Sequence, residues 1–408
     1  MRIKSRFNYS LSDIMTFVGA GAILLLLLFM ISYPAEIFSA STDGLLLWFN
    51  IVLPSILPFL ITAELMMGLG VIHFLGKLLE PLMRPLFNIP GPGAFVAVMG
   101  FTSGFPVGAI LTSRLRSQGI CTRIEAERLL CFTNNASPLF MLVAIPVGMF
   151  GLPSLGIALA AVHYGTNLLI GLAMRFYYYR DSKKIETTSG SKDNYNPSAW
   201  ECMLKARRQD GRTIGRLLGD AVRLATNNLL AIGGFIVFFS VIMKVLSITG
   251  IMDAIINGII LLLPKSDPNL IKSLTIGFWE ITLGSKATAS QVLLPLETRI
   301  ALVGIILGWS GLAIHAQVAS MIADTDIRLG PFWVARLAQA VLSGIALFVA
   351  VRSGILNIAE PVWSTLIIPQ LSFGTIIFYS SRLLCIGLIL LLIIGVLSSV
   401  ISQIWRSV

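Results

Sequence analysis

Residues 14–35, 44–63, 224–243 and 300–323 pass without one charged side chain. A bilayer core needs roughly 20 apolar helical residues to cross it, and each stretch is about that long. In lipid only helices and closed barrels satisfy every backbone N–H and C=O. Runs of this length read as helices, so the chain is expected to be an all-α polytopic membrane protein. Charged residues make up 12% of the sequence, against about 25% in a soluble domain. The net charge of +10 does not point to nucleic acid. The basic residues sit between apolar runs, where they orient a membrane protein, and no Lys/Arg stripe alternates with aromatics. Cys121, Cys131, Cys202 and Cys385 show no CxxC spacing, so neither a disulfide framework nor a metal site is expected, and no cofactor is implied. Arg2, Lys4 and Arg6 precede an apolar run too long for a signal peptide, which reads as an uncleaved first span.

The patterning gives about eight transmembrane helices, at 14–33, 45–72, 129–150, 155–175, 221–246, 300–323, 333–352 and 375–403. Two regions do not fit a simple span. Residues 89–113 are uncharged but interrupted by Pro90, Gly91, Pro92, Gly93, Gly100, Gly104, Pro106 and Gly108, and residues 270–295 are apolar but hold Glu280 and Lys286. Broken helix at membrane depth survives only inside protein or against a wet cavity, so both regions read as re-entrant helical hairpins. A short stretch at 253–263 reads as interfacial. The Lys/Arg excess places the N-terminus, the loop 180–216 and the C-terminus in the cytosol, so the two hairpins enter from opposite faces. Opposed hairpins are the signature of an inverted-topology repeat. Gly171 and Gly344, Ser137 and Ser310, and Gly100-Phe101 and Gly277-Phe278 recur at similar offsets in the two halves. The chain is thus divided into a signal-anchor-like span and outer loop (1–43), a first repeat (44–179), a cytosolic linker (180–216), a second repeat (217–352) and a C-terminal span (353–408).

Inverted-repeat transporters bind their solute near the midplane, between discontinuous helices whose half-helix ends carry partial charge. Four segments suit that role. The first is the hairpin tip with Thr102, Ser103 and Gly104. The second is Asn134, Asn135 and Ser137 in the middle of an apolar run. The third is Glu280, Thr282, Ser285 and Lys286, and the fourth is Ser310 followed by His315 and Gln317. For the first two the bland alternative is a Gly/Pro kink with self-satisfied hydroxyls. Two adjacent carboxamides point to different helix faces, so at most one serves as interhelical glue. Glu280 and Lys286 either lie near the interface and pair with each other, or Lys286 attracts an anion that Glu280 orients or supplies with a proton. His163 reads as a packing residue and ranks below His315, which follows a break. Enzyme readings are weaker. Gly308-Trp309-Ser310-Gly311 has a rhomboid-like GxSG pattern, but His315 is only five residues on, about 140° around one helix. Glu125, Glu127 and Arg128 would serve a lipid-phosphate phosphatase, but read more simply as a solvated, charged helix start.

The stretches Gly100-Phe-Thr-Ser-Gly-Phe-Pro-Val-Gly-Ala109, Arg123-Ile-Glu-Ala-Glu-Arg-Leu-Leu-Cys-Phe-Thr-Asn-Asn-Ala-Ser-Pro-Leu-Phe140 and Gly277-Phe-Trp-Glu-Ile-Thr-Leu-Gly284 resemble the YlbJ family of sporulation integral membrane proteins. The resemblance covers nearly the whole chain and is loose between 180 and 205. That family belongs to the nucleoside-recognition Gate group, similar to concentrative nucleoside transporters. The resemblance implies a multi-pass protein of the mother-cell-derived membrane around the forespore, moving dipicolinate toward the spore. The expected partners are a small anionic solute and the lipid bilayer, with a homo-oligomer open. A nucleoside-like solute and a non-transporting scaffold for spore-envelope assembly are the alternatives.

Overall fold

The computed structural model describes residues 11–178 and 198–355. The expected span at 375–403 and most of the loop after Arg180 lie outside the described residues. Every regular element among the described residues is helical, and the protein is an all-α, multi-pass membrane protein. Among the described residues five segments are long and apolar enough to cross a bilayer, and a sixth counts if the pair on either side of Gly70, bent by 83°, is one span.

The chain forms two compact units. One comprises residues 1–54 and 229–266. It holds α1 (Leu11–Ser32), α2 (Pro34–Leu47), a π-helical turn (Trp48–Val52), the later part of α10 (Ile214–Ile248) and α11 (Ile251–Leu262). Trp48 donates its indole N–H to the Leu229 carbonyl at 2.9 Å, the partner a buried indole requires.

The other unit, residues 55–228 and 267–408, carries both hairpins. Its elements are α3 (Leu53–Gly68, from Ser55), α4 (Val71–Phe87), α5 (Gly93–Ser103), α6 (Val107–Ser117), α7 (Arg123–Thr133), a π-helical segment (Phe140–Met149) and α8 (Leu155–Met174). These are followed by α9 (Ala199–Asp210), the start of α10, α12 (Pro268–Trp279), α13 (Ile281–Ser290), α14 (Leu296–Trp309), α15 (Gly311–Ile322) and α16 (Gly330–Arg352). Local sequence explains the starts. Thr122 and Glu125 close a capping box on α7, Ser198 and Glu201 close one on α9, and Asp267 caps α12 ahead of Pro268. The π-helical segment contains Pro146, whose missing N–H prevents an ordinary ladder.

Both expected hairpins are present, α5–α6 and α12–α13. Gly100-Phe101 and Gly277-Phe278 lie near the end of the first helix of each. The run at 129–150 is not one α-helix: α7 ends at Thr133, and the π-helical segment follows an extended stretch. The run at 300–323 is likewise split, with Ser310 in the left-handed region (φ 74°) between α14 and α15.

The order hairpin, broken helix, long helix therefore occurs twice, as α5–α6, α7–π, α8 and as α12–α13, α14–α15, α16. The packing follows the repeat reciprocally. Helix α6 packs on α15 as α13 packs on the π-helical segment, α7 packs on α16 as α14 packs on α8, and α8 and α16 pack on each other. This exchange is what a two-fold relation between the halves produces.

The sidedness of this arrangement is open to a direct check. With Cys202 replaced by serine, a cysteine at the exposed Gln209 is expected to resist an impermeant thiol reagent in intact cells. A cysteine at the exposed Leu293, beyond the second hairpin, is expected to react. Reaction at both positions would put the hairpins on one side and end the inverted topology.

Candidate functional site

The first hairpin is folded against the break in α7. At Gly100 an added Cβ would lie 1.9 Å from the Thr133 carbonyl oxygen, so only glycine allows the backbones to approach this closely. Tyr164 of α8 holds the arrangement, its hydroxyl donating to Phe101 O at 2.9 Å and to Ala136 O at 3.3 Å. The second hairpin repeats the theme. Its turn has a single residue, Glu280, and Gly311 (φ 72°) at the head of α15 lies against the backbone of residues 279–281.

Asn134 and Asn135 are fully buried in the first break. Neither polar atom of the Asn134 side chain has a protein partner, and Asn135 uses only its N–H₂, toward Phe132 O at 3.1 Å. Two long helices turn their polar faces to this point. From α16, the fully buried Arg336 donates to Asn134 O at 3.2 Å, to Cys131 O, and to the Asn167 side-chain oxygen at 2.7 Å. Gln339 donates to His163 O at 3.1 Å, and His163 accepts the Ala136 N–H at 3.4 Å. Thr166 and Ser343 share a 2.8 Å hydrogen bond where α8 and α16 meet.

Two features of this cluster matter. Arg336 forms no ion pair with a carboxylate among the described residues, so its positive charge inside a membrane span is met only by neutral oxygens and the Phe332 ring. An isolated buried charge is strongly unfavourable. In addition, the Asn134 N–H₂ and side-chain oxygen, the Asn135 oxygen, the Asn167 N–H₂, the Arg336 Nε and the Gln339 oxygen all lack a protein partner. Each such group costs about 1–3 kcal/mol when left unmade. Three unmet donors and three unmet acceptors thus surround one buried guanidinium.

The other residues expected from the sequence fall as follows. Ser103 is buried with its hydroxyl unpartnered. Thr102 is exposed and bonded to its own helix at Val98 O, and Gly104 forms the turn after α5. Ser137 accepts the Phe140 N–H at 3.3 Å. Glu280 caps α13, accepting from Thr282 N at 2.9 Å and Leu283 N at 2.6 Å. Ser285 is buried and unpartnered. Lys286 lies on the exposed side of α13, and no ion pair joins it to Glu280 among the described residues. Ser310 donates to Leu307 O, and His315 meets Trp309 O at 2.8 Å, so these two are bonded to the chain and not to each other. Gln317 is buried.

Glu127 and Arg128 are not a solvated helix start; both are buried. Glu127 is gripped by Arg328 at 2.8 and 3.0 Å and by the Tyr177 hydroxyl at 3.0 Å. Arg128 donates to Asn88 O and Tyr177 O. Glu125 belongs to the capping box and pairs with Arg84. These partners come from α4, from the end of α8 and from the segment before α16, which the local sequence does not foretell. Nearby, Arg116 binds Asp326 at 2.7 and 2.9 Å and holds that carboxyl below its usual value. These ion pairs fasten the first half to the loop before α16.

Over 339 residues, 82% of this chain and 83% of the relative, the sequence is 42% identical to the sporulation integral membrane protein YlbJ of Bacillus subtilis. The chain belongs to the YlbJ family. A family model described as Gate, nucleoside recognition, matches residues 49–153, which contain the first hairpin and the first break. An uncharacterised protein of Alkalihalophilus pseudofirmus is 31% identical over 131 residues, 31% of this chain and 28% of that one. No solved structure matches.

In this YlbJ-family chain the break also gathers Arg336, Asn167 and Gln339, which the sequence reading did not single out, together with His163. A signal for them exists. Arg336, Gln339 and Ser343 recur at helical spacing in an otherwise apolar span, and a charge inside a span is a functional hypothesis by default.

Proposed function

We propose that this protein carries a small anionic solute across the membrane, and that the solute is dipicolinate, moved from the mother cell toward the forespore. The family name supplies the sporulation context, and the repeated hairpin and broken helix supply a transporter-like architecture. The observation that carries the anionic solute is Arg336, a fully buried guanidinium at a helix break with no carboxylate partner among the described residues. A planar fork of N–H donors matches a carboxylate. The unpartnered N–H₂ groups of Asn134 and Asn167 add donors beside it. In this reading the hairpin tips move to admit the solute, Arg336 binds it, and Glu280 holds the second hairpin in shape.

Purified protein in nanodiscs is expected to bind labelled dipicolinate saturably, with unlabelled dipicolinate competing and uridine not competing. The match to a nucleoside-recognition model favours a second reading, a neutral nucleoside-like solute held by the carboxamides, and competition by uridine would select it. Absence of saturable binding to either would leave the scaffold reading.

Lys286 provides an internal control. It is exposed, and contacts of exposed charges are typically worth 0.2–1 kcal/mol. Lys286→Ala is therefore expected to change dipicolinate affinity by less than about fivefold. A larger loss would return the anion site to the second hairpin.

A further inference from the structure

A broken membrane helix leaves unpaired carbonyls at the end of its first half, with a partial charge of about −0.5. In discontinuous-helix transporters such carbonyls and unwound backbone commonly coordinate a coupling cation, Na⁺ among them. In the first break of this protein the Cys131 and Asn134 carbonyls and the Asn167 side-chain oxygen, from α7 with its C-terminal end and from α8, face one guanidinium group. The side-chain oxygens of Asn134 and Asn135 are buried in the same break without a partner. These are neutral, hard oxygen donors, and no cluster of His, Cys, Asp or Glu suited to a metal occurs among the described residues. Such an uncharged set of oxygens at a half-helix end is of the kind that coordinates Na⁺ in discontinuous-helix transporters. What sits on it is the guanidinium of Arg336, carried there by α16.

The second break is closed in a comparable way. The last carbonyl of α14, Trp309 O, is met at 2.8 Å by Nε2 of His315. Both half-helix ends are thus occupied by side chains of the protein itself.

We infer that Arg336 is a tethered substitute for a coupling cation: it fills an oxygen cage at the end of α7 that would otherwise take Na⁺, so this protein uses no Na⁺ at that break. A charge fixed to α16 cannot be delivered by an ion gradient, so any driving force must enter elsewhere. The inference rests on the geometry of the break and holds whatever the solute is.

The test is thermal melting of the purified full-length protein in NaCl against choline chloride at equal ionic strength, without solute. The parent protein is expected to melt at the same temperature in both. Arg336→Ala and Arg336→Met, which vacate the cage, are expected to melt lower in choline. They should then rise saturably with Na⁺ by about 2–5 °C. Arg336→Lys, which keeps a cation on α16, is expected not to respond. A saturable Na⁺ response of the parent would overturn the inference, as would vacated variants indifferent to Na⁺, K⁺ and Li⁺. If neither vacated variant can be purified, the parent's response decides. Because melting is read without solute, failure here is distinguishable from failure of dipicolinate binding.

Discussion

Arg336→Ala is expected to weaken dipicolinate binding by roughly 10- to 150-fold, the equivalent of one charge-assisted hydrogen bond of about 1.5–3 kcal/mol. The loss is this large because, among the described residues, Arg336 is the one Lys or Arg side chain meeting at the break, beside the His163 imidazole, and its Nε has no protein partner. Arg336→Lys should recover part of the affinity, since the charge stays while the planar fork is lost. The same side chain also binds Cys131 O and Asn134 O, so affinity must be measured on protein shown to be folded. Arg336→Lys binding as tightly as the parent would mean charge alone matters. Arg336→Ala binding as tightly would take the anion site away from the break.

Gly100→Ala is expected to cause a large loss of folded protein. Its Cβ would lie 1.9 Å from Thr133 O and 2.9 Å from the carbonyl carbon, and backbone cannot rotate aside as a side chain can. Overpacking of this kind typically costs 1–3 kcal/mol and sometimes more. Here it would push the hairpin off the break. Gly165→Ala in α8 is the matched control, because nothing lies within 4 Å of its added Cβ. In detergent, size-exclusion recovery after a temperature ramp should fall sharply for Gly100→Ala and stay near the parent for Gly165→Ala. Equal recovery would mean the hairpin tolerates displacement and is not seated as described.

Much of the architecture was legible in the sequence because it follows from local causes. Pro90, Pro92 and Pro106 lack an N–H, and clustered glycines favour turns, so the region 89–113 had to break. Asn134-Asn135 before Pro138 had to interrupt an apolar run. The site was less legible. Lys286 drew attention as a charge in a hairpin, yet its helical phase turns it to the exposed side of α13. Arg336 drew none, because averaging over 333–352 hides one arginine among apolar neighbours. Glu127 and Arg128 looked like an ordinary polar helix start, yet partners distant in sequence, Arg328 and Tyr177 on Glu127 and Asn88 and Tyr177 on Arg128, go with their burial.

By itself the sequence determined that this protein is helical, lies in a membrane, and breaks its helices after each of two hairpins. Those properties depend on the length of uncharged runs and on residues acting within a turn of themselves. Which polar groups share a site was decided only by the tertiary structure. Arg336 reaches the Asn134 carbonyl across 202 residues of chain, and that contact exists because α16 packs against both α7 and α8. No local rule fixes such a contact, since it depends on the angle and register at which distant helices meet.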